Sequence, residues 1–372
     1  MKILLIGEYS NVHNTLAQGL RDLGHTVCVI SNGDFWKDYP RDIDVARKPG
    51  KLGGIILFTK MISLLPAMKG YDVVQLINPM FFELKAERLF FFYNYLRKHN
   101  KRVFLGAYGM DYYWVHECIE RKPLRYSDFN FGNQLRTDEA AMRERHDWLG
   151  TAKERLNKHI AADCDGIITG LYEYQVCYES HFPQKTHFIP FPIKMPDSTN
   201  DTVQMPDNSN DKAQHGKLKM FIGISKNRSA YKGTNIMLQA AQHIAIKYHN
   251  QVELAVAHGV SFDQYQQMMN DSDVILDQLY SYTPAMNALL AMSKGIIVVG
   301  GGEPENYEII HETELRPIIN VEPTYDSVYH ELEQLVLHPE LIPELKRQSI
   351  AYIKKHHDFV KVAMQYVDFW NR

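Results

Sequence analysis

The sequence predicts an α/β protein with two parallel-sheet domains. In both halves of the chain, short apolar runs of strand length alternate with segments of helical periodicity. A length of 372 residues favours two domains over one. Prolines at 190, 192 and 196 mark a boundary between the halves. We therefore predict an N-terminal domain over residues 1–190 and a C-terminal domain over 191–357, with a last helix over 358–372 that packs back on the first domain.

The N-terminal half opens with a β-α-β pattern, which fixes a parallel sheet with a right-handed crossover. Its elements are a strand over 2–7, a helix over 11–23 and a strand over 26–31. The turn after the first strand reads Gly7-Glu8-Tyr9-Ser10-Asn11 and lacks the GxGxxG pattern, which argues against a dinucleotide site there. Further strands are predicted over residues 72–77, 102–105, 165–169 and 187–190.

Polar and aromatic residues follow the strand over 102–105. Tyr108 and Asp111 belong to a glycine-bearing loop, and His116 comes five residues later. Such a loop at the carboxyl end of a strand suits the binding of a sugar or another polyol. The alternative is that Asp111 only caps the next short helix, a common role for aspartate.

A helix predicted over 83–100 mixes aromatic and basic residues from Arg88 onward. It suits an anionic membrane surface, and this predicts a peripheral membrane contact. The alternative is that the aromatic side chains pack on the sheet while the basic end of the helix complements its dipole. Residues 55–68 form another apolar, amphipathic segment.

In the C-terminal half, strands are predicted over 218–224, 252–257 and 273–276, and cations follow the first of them. Lys226, Arg228 and Lys232 precede Gly233 and a helix over 235–247. Arginine pairs with phosphate through two hydrogen bonds, lysine adds a point charge, and a helix N-terminus adds its dipole. This loop therefore predicts half of a diphosphate site.

The other half of that site is predicted in residues 279–308. Ser281, Tyr282 and Thr283 place three hydroxyls ahead of Pro284, which suits a first helical position. A helix over 285–294 then stops at Gly295, and a buried strand spans 296–299. The triglycine 300–302 would let the backbone approach a ligand closely.

Composition bounds the remaining possibilities. A net charge of −3 gives no reason to expect a nucleic-acid partner, and the four cysteines are scattered without metal-ligand spacing. The start of the chain lacks the apolar run of a secretory signal, and no stretch is long enough to span a bilayer. A cytoplasmic protein is predicted, with peripheral contact at the inner membrane face as an extension. The polar stretch 197–216 is predicted to be a mobile loop.

Four short motifs resemble those of GT-B-fold glycosyltransferases of the large group that includes glycogen synthase and the bacterial polysaccharide and lipopolysaccharide transferases. They are Gly24-His25-Thr26-Val27, Arg228 with Lys232-Gly233, the run from Ala291 to Val298, and Gly301-Gly302-Glu303-Pro304-Glu305. The resemblance implies two Rossmann-like domains facing a central cleft. It also implies transfer of a sugar from a nucleoside diphosphate sugar to a glycan or lipid-linked acceptor, in cell-surface polysaccharide synthesis.

The resemblance also assigns residues to roles. The donor diphosphate would lie against Arg228, Lys232, Gly233, Ser281, Tyr282 and Thr283. The donor sugar and ribose would lie near Asn287, Gly301, Gly302, Glu303 and Glu305. The acceptor side would comprise Glu8, Tyr9, Ser10, His13, Tyr108, Asp111 and His116. Asp111 is the leading candidate for a base or a hydroxyl-orienting group, and Arg228 and Lys232 would stabilise the leaving diphosphate without a metal or other cofactor.

The chain departs from the family at two positions. The family's pair of glutamates falls at Tyr282 and Leu290, so its donor-sugar contacts do not transfer, and Asn287 becomes the candidate ribose contact. Transfer with retention is the outcome that the resemblance favours. The competing function is a non-catalytic GT-B-fold protein that binds a nucleotide or glycan. A sugar-nucleotide epimerase on the same fold would need a carboxylate constellation that the sequence does not display.

Overall fold

The computed structural model describes residues 1–196, 216–224 and 232–372. The chain forms two compact units. Unit 1 comprises Met1–Arg125, Phe129–Pro192 and Phe359–Arg372, and unit 2 comprises Tyr126–Asp128 and Ile193–Asp358. The predicted loop 197–216 lies almost wholly outside the described residues, and Arg228 lies outside them too.

Unit 1 contains a seven-stranded sheet in which all neighbouring strands are parallel. Its strands, in chain order, are β1 (Lys2–Ile6), β2 (Thr26–Ser31), β3 (Ile43–Asp44), β4 (Val73–Leu76), β5 (Arg102–Ala107), β8 (Gly166–Thr169) and β9 (Thr186–Phe188). The order across the sheet is β3-β2-β1-β4-β5-β8-β9. A separate hairpin pairs β6 (Asn130–Phe131) with β7 (Gln134–Leu135). The long apolar strands match the predictions, whereas the two-residue strands are too short to leave a periodic signal.

The described helices of unit 1 are α1 (Val12–Asp22), α2 (Gly53–Ser63), α3 (Ala86–His99), α4 (Tyr112–Glu120), α5 (Glu139–Trp148), α6 (Ala152–Asp163), α7 (Tyr172–Glu179) and the last helix of the chain (Phe359–Asn371). That last helix packs against α1, where the backbone carbonyl of Phe359 fills the space a Cβ on Gly19 would need. In α3, Leu89, Phe92 and Tyr93 are fully buried. The packing interpretation of α3 is therefore the one that the structure favours over a membrane-facing helix.

Unit 2 contains a five-stranded parallel sheet. Its strands are β10 (Leu218–Ile224), β11 (Val252–His258), β12 (Val274–Leu276), β13 (Ile297–Gly300) and β14 (Ile319–Asn320), in the order β11-β10-β12-β13-β14. The described helices are α8 (Thr234–Lys247), α9 (Phe262–Asn270), α10 (Met286–Ser293), α11 (Pro304–Ile309), α12 (Tyr325–Leu337) and α13 (Ile342–Tyr352); the last helix of unit 1 is accordingly α14. Side chains from β10, β12, β13, α8 and α12 form one core.

The helix α10 begins later than the sequence predicts. Its N-cap is Ala285, so Pro284 lies ahead of the helix and does not occupy its first position. The predicted stop at Gly295 matches the structure, since that residue has φ +74°, a conformation that glycine adopts without strain. Among the described residues, no helix combines the length and the apolar character needed to cross a bilayer.

Strand order reverses once in each sheet. In unit 1, β2 pairs with one side of β1 and β4 pairs with the other. In unit 2, β11 pairs with one side of β10 and β12 pairs with the other. In open parallel sheets, the loops at the carboxyl ends of two such strands diverge and leave a crevice where ligands bind. A ligand site is therefore expected at the loops after β1 and β4 in unit 1 and after β10 and β12 in unit 2.

Candidate functional site

The two predicted diphosphate loops meet directly in unit 2. The backbone N–H of Leu279, in the loop after β12, donates to the carbonyl of Lys232 at 3.0 Å. Gly233 has φ +70°, and a Cβ there would lie 2.6 Å from Cβ of Leu279. The loop after β12 thus packs on the start of α8 so closely that only glycine fits. These contacts place Lys232 and Gly233 against Leu279, two residues ahead of the predicted segment 281–283.

The glycine turn after β13 completes this edge of the sheet. The backbone N–H of Glu303 donates to the carbonyl of Tyr282 at 3.2 Å. A Cβ on Gly301 would lie 2.2 Å from the carbonyl oxygen of Ser281, and one on Gly302 would lie 2.8 Å from Cγ2 of Ile318. The space that a Cβ would need at these two glycines is therefore filled by the protein itself, which gives both a packing role, and their contact with a donor sugar stays a prediction.

Tyr282 packs inside unit 2. Its ring is 1% exposed and packs on Tyr126, with ring centroids 4.8 Å apart. The hydroxyl of Tyr126 donates to Oε1 of Glu303 at 2.5 Å. A buried aromatic pair and a phenol–carboxylate hydrogen bond thus hold Tyr282 and Glu303 in fixed places, and the match of Tyr282 to the family's first glutamate stays a prediction.

Asn287 lies in the first turn of α10 and forms part of a polar cluster. Its amide nitrogen donates to Oδ1 of Asp277 at 2.9 Å and contacts the hydroxyl of Tyr265 at 3.0 Å. Tyr265 lies over Gly223, where a Cβ would come within 2.5 Å of its ring. Burial, followed by the Asp277 charge, raises the pKa of Tyr265, so its hydroxyl stays protonated. The cluster joins the ends of β10 and β12 at the strand reversal.

Two helices begin at this edge without a side-chain cap. Gly233 is the N-cap of α8 and Ala285 is the N-cap of α10, and neither can supply a side-chain acceptor. Helix N-termini carry a partial positive charge that favours anions. Ser281 donates its hydroxyl to the carbonyl of Thr283 at 2.6 Å, which tightens the segment just before α10. Glu305 lies in the first turn of α11, where a carboxylate complements the helix dipole.

A depression of about 610 Å³ lies on the other side of α11. Its lining includes Gly302, Tyr307, Glu312, Arg316 and Asn320. Most of its polar groups already have partners: Glu312 accepts from the N–H groups of residues 314 and 315, and Nη1 of Arg316 donates to two carbonyls. Of the predicted residues, only Gly302 lines it, so it lies beside the predicted donor site and does not coincide with it.

In unit 1, the predicted acceptor residues at the end of β1 surround the start of α1. Glu8 is buried, and its two carboxylate oxygens accept the N–H groups of His13 at 3.2 Å and Asn14 at 2.8 Å. Burial raises the pKa of Glu8 to about 8 in spite of these hydrogen bonds. Ser10 has φ +51° and donates its backbone N–H to Asp34 at 2.8 Å. Both residues therefore shape the turn at the strand reversal.

The loops after β1 and β5 meet through aromatic side chains. The ring of Tyr9 lies over Gly109, where a Cβ would come within 3.0 Å of it. His13 and Tyr108 pack edge to face with ring centroids 6.4 Å apart, and the hydroxyls of Tyr108 and Tyr366 are 2.6 Å apart. The structure thus brings Glu8, Tyr9, Ser10, His13 and Tyr108 together at one edge of the seven-stranded sheet.

Asp111 is fully buried and caps α4. Oδ1 accepts the backbone N–H of Trp114 at 2.9 Å, and Oδ2 accepts the hydroxyl of Tyr178 at 2.8 Å. Burial raises the pKa of Asp111 to about 7, against the lowering effect of these two hydrogen bonds. Both oxygens serve the fold, which is the capping role that the sequence left open. A role toward an acceptor stays a prediction.

His116 belongs to a separate cluster on α4. Its Nδ1 lies 3.1 Å from Oε1 of the buried Glu117, and Nε2 of His181 lies 2.7 Å from the same oxygen. The three ligand atoms lie within 4.8 Å of one another, a spacing that could hold a metal ion. Nη1 of Arg121 lies 2.8 Å from Oε2 of Glu117 and already balances its charge. The arrangement is that of two imidazoles hydrogen-bonded to one paired carboxylate.

Sequence reasoning missed three residues that organise the unit 2 site. Tyr126 lies 177 positions from Glu303, in a stretch without regular periodicity, and nothing in the sequence links the two. Tyr265 belongs to α9, a nine-residue helix that is absent from the sequence predictions. Asp277 follows a predicted strand directly, and this position at a strand's carboxyl end was the one signal that could have identified it.

The sequence matches no family profile and no curated relative. The fold is similar to that of solved proteins. Sucrose-phosphate synthase from Thermosynechococcus elongatus has a TM-score of 0.59 at 12% identity, with 100% of this chain and 98% of that chain covered. The catalytic domain of starch synthase IV from Arabidopsis thaliana, bound to ADP and acarbose, has a TM-score of 0.59 at 11% identity, with coverage of 100% and 99%.

A third similar structure is UDP-GlcNAc 2-epimerase from Neisseria meningitidis bound to UDP-GlcNAc, with a TM-score of 0.52, 14% identity and coverage of 99% for both chains. All three alignments span both units of this chain, and identities this low establish the fold alone. The predicted fold is therefore confirmed: the chain has the GT-B fold, with two Rossmann-like parallel-sheet units.

Proposed function

We propose that the protein is a glycosyltransferase that moves a sugar from a nucleoside diphosphate sugar to a glycan or lipid-linked acceptor in cell-surface polysaccharide synthesis. The observation that carries the proposal is the convergence at the strand reversal of unit 2. There the Lys232–Gly233 segment, residues 279–283 and the turn before α11 share hydrogen bonds and close contacts. Two of the similar structures hold ADP and UDP-GlcNAc, which supports a nucleotide-sugar donor.

The donor diphosphate would bind at the starts of α8 and α10. Two uncapped helix N-termini and the cation of Lys232 favour a dianionic group there, and Arg228 would add a second cation. When the glycosidic bond to the diphosphate breaks, negative charge develops on the leaving phosphate oxygen. Fixed positive groups stabilise that charge without reorganising, so we propose a metal-independent transfer.

Asn287 is the proposed donor contact on α10. Its amide nitrogen already donates to Asp277 and Tyr265, so its amide oxygen is the group that we assign to a ribose hydroxyl. The acceptor would bind at the edge of unit 1 that carries Glu8, Tyr9, Ser10, His13 and Tyr108. Because Asp111 is engaged in capping, we favour retention with front-face attack, in which the leaving phosphate takes the acceptor's proton.

The proposal is tested by calorimetric titration of UDP, GDP, ADP and dTDP. One diphosphate is expected to bind with micromolar affinity, and Lys232→Ala is expected to weaken it at least tenfold, since a charged hydrogen bond to phosphate contributes about 1.5–3 kcal/mol. Lys217→Ala is the matched control, because Lys217 is exposed just ahead of β10. Arg228→Ala should behave as Lys232→Ala does. If none of the four nucleotides binds, the donor site is wrong.

The second candidate is a binding protein without turnover, and the buried Tyr282 at a signature position favours it. The same preparation distinguishes the two functions. Slow hydrolysis of the matching nucleotide sugar, unaffected by a chelator, supports the metal-independent transferase. Tight diphosphate binding with no hydrolysis and no transfer to any glycan or lipid-linked acceptor supports the binding protein.

A further inference from the structure

An uninterrupted basic and apolar segment in unit 1 plays no part in the proposed transfer. Residues 45–70 contain five lysines and arginines and no aspartate or glutamate. The cations are Arg47, Lys48, Lys51, Lys60 and Lys69, and all five are exposed. The segment surrounds α2, and among the described residues none of these five side chains forms an ion pair.

One face of α2 is fixed to the body of unit 1. Leu57 and Met61 are buried, and Phe58 packs edge to face on Phe92 of α3 with ring centroids 6.0 Å apart. The guanidinium of Arg88 lies 4.8 Å above the Phe58 ring, and the backbone carbonyl of Lys48 fills the space beside Gly53. The helix therefore has a defined orientation, which fixes the direction of its other face.

The opposite face of α2 presents large apolar side chains to solvent. The exposed fractions are 65% for Leu52, 55% for Ile55, 46% for Ile56 and 38% for Ile62. Their spacing of three, one and six residues places them on one stripe of the helix. Scattered apolar residues on a protein surface are ordinary, but an aligned stripe of four on one short helix marks an interaction surface.

We propose that this α2 face docks on an anionic lipid surface. A helix that lies in the membrane interface needs an apolar stripe toward the acyl chains and cations at headgroup level, and α2 with its flanking segments supplies both. Each lysine or arginine near an anionic leaflet contributes about 1 kcal/mol of attraction. A negatively charged membrane favours a segment that carries cations and no acidic residue. A protein partner would not require such a one-sided charge.

This face differs from the helix that the sequence indicated. In α3, Phe92 and Tyr93 are buried, Phe90 and Tyr95 are half-buried, and Arg97 forms ion pairs with Asp163 and Asp165, so α3 has little left for a membrane. Only Phe91 of α3 is an exposed aromatic side chain, at 49%. The membrane contact therefore belongs to α2, and it is independent of the nucleotide chemistry in unit 2.

The test is vesicle flotation of the full chain with phosphatidylcholine alone and with phosphatidylcholine mixed with phosphatidylglycerol. The wild type is expected to float only with the mixed vesicles. Its binding should weaken when ionic strength rises from about 0.1 M to about 1 M, since the Debye length falls from about 10 Å to about 3 Å. Equal binding to both vesicles, or binding to neither, would overturn the proposal.

Four variants locate the contact. The Ile55→Ser, Ile56→Ser double variant removes half of the apolar stripe and is expected to reduce binding at least tenfold. The Lys51→Gln, Lys60→Gln double variant is expected to reduce it about thirtyfold. Ile246→Ser, at a lone exposed isoleucine on α8, and Lys98→Gln, on α3, are the controls and should change binding less than twofold.

The remaining occupant of this face would be a second copy of the chain. Analytical ultracentrifugation without lipid should show a monomer for the wild type; a dimer that Ile55→Ser, Ile56→Ser dissociates would assign the face to self-association and overturn the proposal. Thermal unfolding of the variants should be unchanged, because the substituted side chains are exposed. Nucleotide titration of the same variants should also be unchanged, so a failure of the docking proposal and a failure of the transferase proposal give separate results.

Discussion

The amide of Asn287 stands between an acid and a phenol at the carboxyl end of β12. Asp277 is 9% exposed, and the Asn287 amide and the Tyr265 hydroxyl contact one another beside it. A buried carboxylate depends on such donors because the protein interior solvates charge poorly. The cluster thus keeps an ionisable group at the strand reversal, where a ligand is expected.

Asn287→Ala is expected to destabilise the protein by about 1–3 kcal/mol, because it leaves the Asp277 carboxylate short of a donor. Urea unfolding followed by circular dichroism measures this change. Asn235→Ala, at an exposed position of α8, is the matched control and should change the unfolding free energy by less than about 0.5 kcal/mol. Equal effects of the two substitutions would contradict the role of the cluster.

His13 links protonation to the stability of unit 1. It is fully buried, its Nδ1 donates to the carbonyl of Gly7 at 2.8 Å, and Nε2 has no hydrogen-bond partner within the described residues. Burial lowers the pKa of His13 from its ordinary value of 6.5 to about 3. Between these two values, the unfolded chain binds a proton that the folded chain does not.

The unfolding free energy should therefore fall as the pH falls from about 6.5 toward 3, by up to about 1.4 kcal/mol per pH unit from this one group. His13→Gln is expected to remove that part of the slope, and His249→Gln, at an exposed position of unit 2, to leave it. Glu8 and Asp111, whose pKa values are raised, act in the opposite sense, so the difference between variant and wild type isolates His13. Identical pH slopes for both variants would rule the linkage out.

At the scale of elements, the site in unit 2 depends on loops that touch through glycine. The loop after β12 lies against Gly233 on one side and against the turn after β13 on the other. The close neighbour is Cβ of Leu279 at Gly233 and the backbone carbonyl of Ser281 at Gly301, so no rotamer change can relieve either contact. The three loops are therefore expected to move together and to respond together to a substitution.

Gly301→Ala tests this coupling. Its Cβ would lie 2.2 Å from the carbonyl oxygen of Ser281, so the loop must shift, at a cost of about 1–3 kcal/mol in unfolding free energy. Because that loop carries the proposed diphosphate contacts, nucleotide affinity should fall as well. Gly216→Ala is the control, since a Cβ there meets no atom of the described residues within 4 Å. Unchanged stability and affinity in Gly301→Ala would show that the loop adapts without cost.

At the scale of the whole molecule, the sequence was sufficient to predict the sheets. A strand buried on both faces reads as a continuous apolar run, and those runs predicted every strand of four or more residues in the described chain. The same runs place the polar loops at the carboxyl edges, which is why the sequence alone pairs Lys232 with residues 281–283. The two-residue strands have no such signal.

What the sequence could not supply was contact between distant segments. The hydrogen bond from Tyr126 to Glu303 depends on how the chain folds over 177 positions. The capping role of Asp111 was foreseeable as an alternative, but the partner Tyr178 was not. The outward direction of the α2 stripe required knowing which side Phe58 packs against. Each of these features depends on tertiary packing, which the local periodicity of the sequence does not encode.

The three residues Tyr126–Asp128 belong to unit 2 although the chain on both sides of them belongs to unit 1. Chimaeras that exchange the C-terminal half with that of another GT-B protein would normally be cut once, near Pro192. Such a hybrid would keep its own Tyr126 while receiving foreign partners for it in place of Tyr282 and Glu303. The exchangeable module is therefore discontinuous, and a working hybrid must carry residues 126–128 along with 193–358.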